Sequence, residues 1–172
     1  MKKLFALALA LCLLCACACA EETAEAINWP DIEANASAYP GSFRAVGTTG
    51  MEMYIPDLFT EAEITDDQEE AGVILLLNGE GKYAVAASWI MLEDDMSVDQ
   101  YLADIGAAGV EPLTVNGLEA VGYDQEINGL RTSSVLYYFE DDDSLLIFSY
   151  GPMDDEEFQP IAVLMMASVR EE

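Results

Sequence analysis

A chain of 172 residues, with 33 acidic against 6 basic side chains, a net charge of −27 and no histidine, is long enough for one domain with its own core. It is poorly suited to nucleic acid, which needs cations from a protein to displace its counterions. All four cysteines (Cys12, Cys15, Cys17 and Cys19) fall within the first twenty residues. The remaining 152 residues therefore offer no disulfide, thiolate nucleophile, Cys–His pair, standard serine triad or typical zinc site.

The first segment has the three parts of an export signal. Met1-Lys2-Lys3 is a basic start, Leu4 to Leu14 is almost entirely Leu and Ala, and Ala18-x-Ala20 precedes Glu21-Glu22. Small residues at those two positions suit signal-peptidase cleavage after Ala20, which makes residues 1–20 a signal peptide. Two other readings remain open. The run from Leu4 to Ala20 is at the lower limit for spanning a bilayer core of about 30 Å. Leu14-Cys15-Ala16-Cys17 also resembles a bacterial lipobox, in which a lipid on Cys17 would tether the domain to the membrane. The expected location is the medium or the outer face of the cell membrane. Cleavage leaves Arg44, Lys82, Arg131 and Arg170 against all 33 acids, a surface that favours solubility, divalent cations or a basic partner.

Residues 21–41 read as an N-terminal linker. Ile27, Trp29, Ile32 and Ala36 stand at loosely helical spacing, Asn28 or Asp31 could cap a short helix there, and Tyr39-Pro40-Gly41 ends the segment. Strand patterns take over in the domain proper, 42–172. Phe43–Val46 and Met51–Ile55 are short candidates, and the acidic residues 66–70 are read as a loop. Val73–Leu77 and Tyr83–Leu92 come next, joined by Asn78-Gly79-Glu80-Gly81, where Asn-Gly would supply the positive φ of a tight hairpin. Ser97-Val98-Asp99-Gln100 is a capping box, and Val98, Tyr101, Leu102 and Ile105 make one apolar helical stripe ended by Gly106. Strands are expected again over Pro112–Val115, Leu118–Asp124, Leu130–Phe139 and Leu145–Tyr150, with Asn116-Gly117 and Asn128-Gly129 between them. Phe158, Ile161, Ala162, Leu164, Met165 and Val169 line a closing helix that either begins at Pro160 as its first residue or continues from the acidic turn 154–157 with a slight kink. Helices interrupting an antiparallel sheet give an α+β fold, expected as a layered α/β/α sandwich.

The order of these segments resembles the PsbP-like, or Mog-type, fold, shared with small exported bacterial proteins and lipoproteins. The resemblance rests on Met53-Tyr54-Ile55-Pro56, on Ser97-Val98-Asp99-Gln100-Tyr101 and on the hairpin Val115-Asn116-Gly117-Leu118-Glu119-Ala120-Val121. Leu145–Tyr150, Pro152 and the last helix with Ser168-Val169 complete it, so that it covers about Ser42 to Arg170. It implies an antiparallel sheet flanked by helices and used as a binding module, because members of this fold act mostly by docking to other proteins. No catalytic residue carries over, and the surfaces that would assign the chain to Ran or to a photosystem are absent.

The residues themselves offer one sharp site. Asp124-x-Glu126-x-Asn128-Gly129 matches the start of a calcium loop, with Asp124, Glu126 and Asn128 as oxygen ligands. Position 12, however, is Val135 in place of a bidentate Glu, and strands are expected where helices should flank the loop. A hairpin turn accounts for the same residues. Paired carboxylates can hydrolyse glycosides, but the acids here cluster on turns and helix starts. Tyr137 and Phe139 share one strand face and Tyr138 takes the other. They form core if both faces are covered, or a partner patch if one is open. The expectation is therefore a monomeric, non-catalytic binding module without a cofactor, whose partner is an unidentified protein and not nucleic acid; the alternatives are a divalent-cation (calcium) or small-ligand-binding protein and a carboxylate-based hydrolase.

Overall fold

Alternating apolar residues become strands wherever both faces can be covered. The computed structural model describes residues 24–93, 96–127 and 129–172; Ala20, Cys17 and Asn128 lie outside them. The strands are β1 (Glu25–Ile27), β2 (Gly41–Ala45), β3 (Met51–Pro56), β4 (Phe59–Glu61), β5 (Val73–Gly79), β6 (Tyr83–Met91), β7 (Ala108–Val115), β8 (Leu118–Ile127), β9 (Leu130–Phe139), β10 (Ser144–Gly151) and β11 (Arg170–Glu171). The helices are α1 (Trp29–Ile32), α2 (Asp66–Glu70), α3 (Val98–Asp104) and α4 (Gln159–Met166), with a 3-10 turn over Glu33–Ala38.

Eight strands form one sheet in the order β1-β7-β8-β9-β10-β6-β5-β4, and β11-β3-β2 form a second. Every pair is antiparallel except β1 with β7. Alternation along β10 shows the consequence. Leu146, Phe148 and Tyr150 enter a core shared with Met51, Met53 and Ile55 of β3 and with Ile161, Ala162 and Met165 of α4. Leu145 and Ile147 point the other way, under Leu102 of α3. Removing such side chains from water contributes about 1.5–3 kcal/mol each. A third cluster covers the outer face of the small sheet, where Trp29 and Ile32 pack on Tyr54, Leu164 and Ala167. The fold is thus mixed α/β and mostly sheet. A three-stranded sheet shares with α4 the side of the main sheet where the sequence led us to expect helices alone.

Several local expectations change. The stretch 66–70 is helix α2, because Thr65 and Gln68 form a complete capping box: the Thr65 side chain accepts from Gln68 N–H, and Gln68 Oε1 accepts from Thr65 N–H at 3.0 Å. The β5–β6 turn is not made by Asn78-Gly79. Its positive φ angles belong to Glu80 (54°) and Gly81 (74°), while Asn78 Oδ1 accepts from Gly81 N–H at 2.7 Å. The short helix expected within 27–38 is α1, with Asn28 at its N-cap, while Ile27 before it ends β1, which pairs with β7. That pairing, with Trp29 and Ile32 buried, ties the described part of the linker into the domain. Ser97 caps α3 by accepting from Gln100 N–H at 3.2 Å. Before α4, Asp155 Oδ1 accepts from Glu157 and Phe158 N–H groups, so the acidic turn precedes the helix and Pro160 sits in its first turn.

One side chain joins the distant parts. Asn116 has φ 49° in a two-residue turn between β7 and β8. Its Oδ1 accepts from Trp29 N–H at 2.7 Å, and its Nδ2 donates to the carbonyls of Ala167 at 2.9 Å and Val169 at 2.7 Å. Its backbone N–H donates to Ile27 O at 2.9 Å. Nearby, the buried Ser168 Oγ accepts from Tyr54 N–H at 2.9 Å and donates to Met165 O at 2.6 Å. It satisfies β3 at the point where β11 leaves it.

Candidate functional site

Beside β5 the core between the two sheets reaches the surface. On one side is the β2–β3 turn, closed by Val46 N–H donating to Met51 O at 2.8 Å and by Thr49 Oγ1 donating to Val46 O at 2.7 Å. On the other side, β4 stops pairing with β5 at Glu61 opposite Leu77. The chain then leaves the sheet through Ile64 and α2 and returns at Gly72. Between them lies an open cleft of about 670 Å³ lined by Gly47, Thr48 and Thr49, by Ile64 and Glu69, and by Gly72, Val73, Ile74 and Trp89.

Trp89 continues the row of Tyr83, Val85 and Ala87 on the inner face of β6 and remains half-buried at the rim. Its ring lies on Phe139, with centroids 5.2 Å apart and planes at 33°. Gly72 fixes its backbone. Gly72 O accepts from Trp89 N–H at 2.8 Å, φ at Gly72 is 83°, and a Cβ there would collide with Trp89 O. Only glycine meets both demands. Ile74 forms the floor, close enough to the turn that a Cβ on Gly47 would touch its Cδ1 at 3.6 Å. Glu69 brings the one carboxylate among the lining residues.

The predicted ligands lie elsewhere. Asp124 and Glu126 share a face of β8, and strands flank them on both sides. Asp124 Oδ2 accepts from Arg131 at 2.8 Å and its Oδ1 accepts from Ser133 Oγ at 2.5 Å; Arg131 also lies 4.0 Å from Asp154. Both oxygens of Asp124 are therefore engaged within the β8–β9 hairpin. Among the described residues, no group of three or more His, Cys, Asp or Glu is placed to hold a metal ion. Of the acidic runs, 66–70 is α2, and in the β9–β10 turn Asp143 Oδ1 accepts from Tyr138 Oη at 2.8 Å.

The aromatic strand divides as its alternation requires. Tyr137 is buried and meets Phe148 edge-on, while Tyr138 is 40% exposed on the opposite face beyond α3. Burial raises the phenol pKa values of Tyr137 and Tyr150, and that of Tyr123 is pushed up to about 12, chiefly by burial under α3. These hydroxyls stay protonated at neutral pH. The sequence pattern did not single out Trp89 as a site residue. Its signal was a large ring at the end of a run of inward-facing residues on β6, where a small sheet no longer covers it.

This architecture matches solved structures. The solution structure of cyanobacterial PsbP (CyanoP) from Synechocystis sp. PCC 6803 aligns with a TM-score of 0.55, over 77% of this chain and 94% of that one, at 10% identity. The fold is PsbP-like. A crystal structure from Bacteroides thetaiotaomicron VPI-5482 aligns over 77% of this chain at 12% identity and a TM-score of 0.50, and the match spans 48% of that protein. No family model and no curated protein matches the sequence. At these identities the likeness concerns the PsbP-like backbone and carries no residue role with it.

Proposed function

We propose that this protein is an exported binding module of PsbP-like fold that works by contact, seating apolar side chains of a partner in the cleft beside Trp89. The observation that carries the reading is the lining itself. Ile64, Val73, Ile74 and Trp89 bring apolar surface from the inter-sheet core to solvent in one concave place, and apolar concavities are where ligands and partners are held. In this reading α3 and α4 are the covers of a layered α/β/α sandwich, and the mouth beside β5 is the part left uncovered. The protein acts as a monomer, without a cofactor and without chemistry of its own. It is released into the medium or held at the outer face of the membrane by its N-terminal segment.

The reading also fits the placement of that segment. β1 lies at one edge of the main sheet and β5 six strand positions away. At about 4.8 Å per position the cleft is roughly 29 Å from the chain's entry into the fold. A tether at the N-terminus would leave the cleft accessible.

The test is a nuclear magnetic resonance titration with a neutral peptide carrying adjacent leucine and phenylalanine side chains. The expected result is a saturable shift of the Thr48, Thr49, Val73 and Ile74 amides and of the Trp89 indole. Shifts confined to Ile127 and Leu130, which are 39% and 53% exposed at the β8–β9 hairpin, would overturn this site, as would a cleft unmoved by apolar peptides of any charge.

A further inference from the structure

We infer that the partner segment received by the cleft is cationic: an apolar anchor of one or two side chains flanked by lysine or arginine. This rests on the cleft being the binding site and adds the chemistry of what enters it. The segment from β4 to α2, which lends Ile64 and Glu69 to the lining, carries Glu61, Glu63, Asp66, Asp67, Glu69 and Glu70 within ten residues, and between Arg44 and Lys82 the chain has no basic residue. The placement of these acids is specific. Thr65 and Gln68 close a capping box that holds α2 as a helix, which sets Asp66 and Glu69 on neighbouring positions of one face, with Glu69 lining the cleft. Both are exposed, and neither has an ion pair among the described residues. The apolar floor and the carboxylate rim are therefore adjacent, so a single short segment can use both.

The two contributions differ in kind. The apolar contact sets which side chains fit. The rim adds attraction that steers encounter and rejects acidic competitors, because charge complementarity acts on rate and selectivity more than on area. With a net charge of −27, an acidic segment or an anionic lipid surface would meet repulsion from the whole molecule before reaching the cleft.

The test uses calorimetry on the intact protein with three peptides sharing the core Leu-Phe-Leu, flanked on each side by two lysines, two glutamines or two glutamates. We expect the lysine peptide to bind at least about tenfold more tightly than the glutamine peptide at low salt. That advantage should collapse near 1 M salt, where the screening length is about 3 Å. Asp66→Asn with Glu69→Gln should weaken the lysine peptide by about three- to tenfold, as two exposed charge pairs permit. Asp141→Asn with Asp142→Asn, an equal charge change in the β9–β10 turn, should weaken it by less than about twofold. Equal binding of the three peptides, or an equal loss from the two double variants, would overturn the cationic partner while leaving the cleft as a binding site. Failure of all three peptides to bind would overturn both.

Discussion

Replacing Asn116 tests the link between the turn and the closure of the fold. Asn116→Gly keeps a residue suited to φ 49° and removes three side-chain hydrogen bonds, those to Trp29 N–H and to the carbonyls of Ala167 and Val169. At about 1 kcal/mol net for each bond the loss is about 3 kcal/mol. Glycine's ease at positive φ offsets up to about 1 kcal/mol of it. The net loss of about 2–3 kcal/mol corresponds to a fall in Tm of roughly 4–12 °C for a domain of this size. Asn116→Asp is the sharper variant. It retains the acceptor for Trp29 N–H but turns an anionic oxygen toward two carbonyl oxygens, and leaving those acceptors unmatched costs about 1–3 kcal/mol each. That carboxyl would have a raised pKa in the folded state, so the folded state would bind the proton more tightly. The damage is then greatest at neutral pH and shrinks as pH falls through the folded pKa. Urea unfolding followed by far-ultraviolet dichroism and by the fluorescence of Trp29, the adjacent ring, measures both variants. The reasoning is refuted if Asn116→Gly lies within about 0.5 kcal/mol of the parent, inside the range of ordinary surface changes, or if Asn116→Asp is no worse than Asn116→Gly at pH 7.

Two further substitutions probe other parts of the fold. Tyr137→Phe should leave the protein equally stable or stabilise it by about 1 kcal/mol, because the buried hydroxyl finds no hydrogen-bond partner among the described residues and its desolvation is uncompensated; a loss above about 1 kcal/mol in urea would contradict this. Glu111 has its pKa raised above 4.5 by desolvation first and then by Glu25 and Asp124. A raised folded pKa in an acid means that stability falls as pH rises from the unfolded value through the folded one. Glu111→Gln should therefore raise Tm at pH 7 by about 1–2 °C and leave it unchanged near pH 3; an equal shift at both pH values would refute the electrostatic cause.

The strands were legible because their residues alternate against two covered faces. Leu130–Phe139 matches its predicted bounds, and Leu145–Tyr150 extends by one residue at each end. The division into two sheets was not legible. Met51, Met53 and Ile55 alternate as any half-buried strand does, and nothing local says that their partner across the core belongs to a different sheet. Helix α2 has a legible signal, since Thr65-x-x-Gln68 has the same capping pattern as Ser97-x-x-Gln100, but four acids in five residues read as a loop. The Asn-Gly dipeptides show the limit of a two-residue signal. Asn116-Gly117 makes the tight turn, but at Asn78-Gly79 the positive φ angles fall two residues later. The three side-chain bonds of Asn116 reach Trp29, Ala167 and Val169, partners 51 to 87 positions away, and no local pattern reveals them. At the calcium-like spacing the engagement of Asp124 by Arg131 was equally illegible. A residue two positions along a strand shares a face, but a cross-strand arginine took the carboxylate.

The cleft and the Asn116 junction lie toward opposite edges of the eight-stranded sheet, with β10 and β9 between them. That separation assigns different work to the two ends of one core. At the β1–β7 edge every polar group of the Asn116 amide is matched, and the N- and C-terminal segments are locked to the same turn. At the β5 edge, β4 ends early and the small sheet contributes only a glycine-bordered turn, so the core is left open beside Trp89. A sheet stabilised at one edge can tolerate such an opening at the other, since local openings draw on the low-stability parts of a fold. Asn116 variants should therefore lower global stability without altering the preference among the lysine, glutamine and glutamate peptides. Asp66 and Glu69 variants should alter that preference with little change in stability. If weakening the junction changed peptide selectivity as strongly as removing the rim charges, the two edges would be energetically coupled, and the cleft would have to be described as a conformational state of the whole sheet rather than as a fixed feature of its β5 edge.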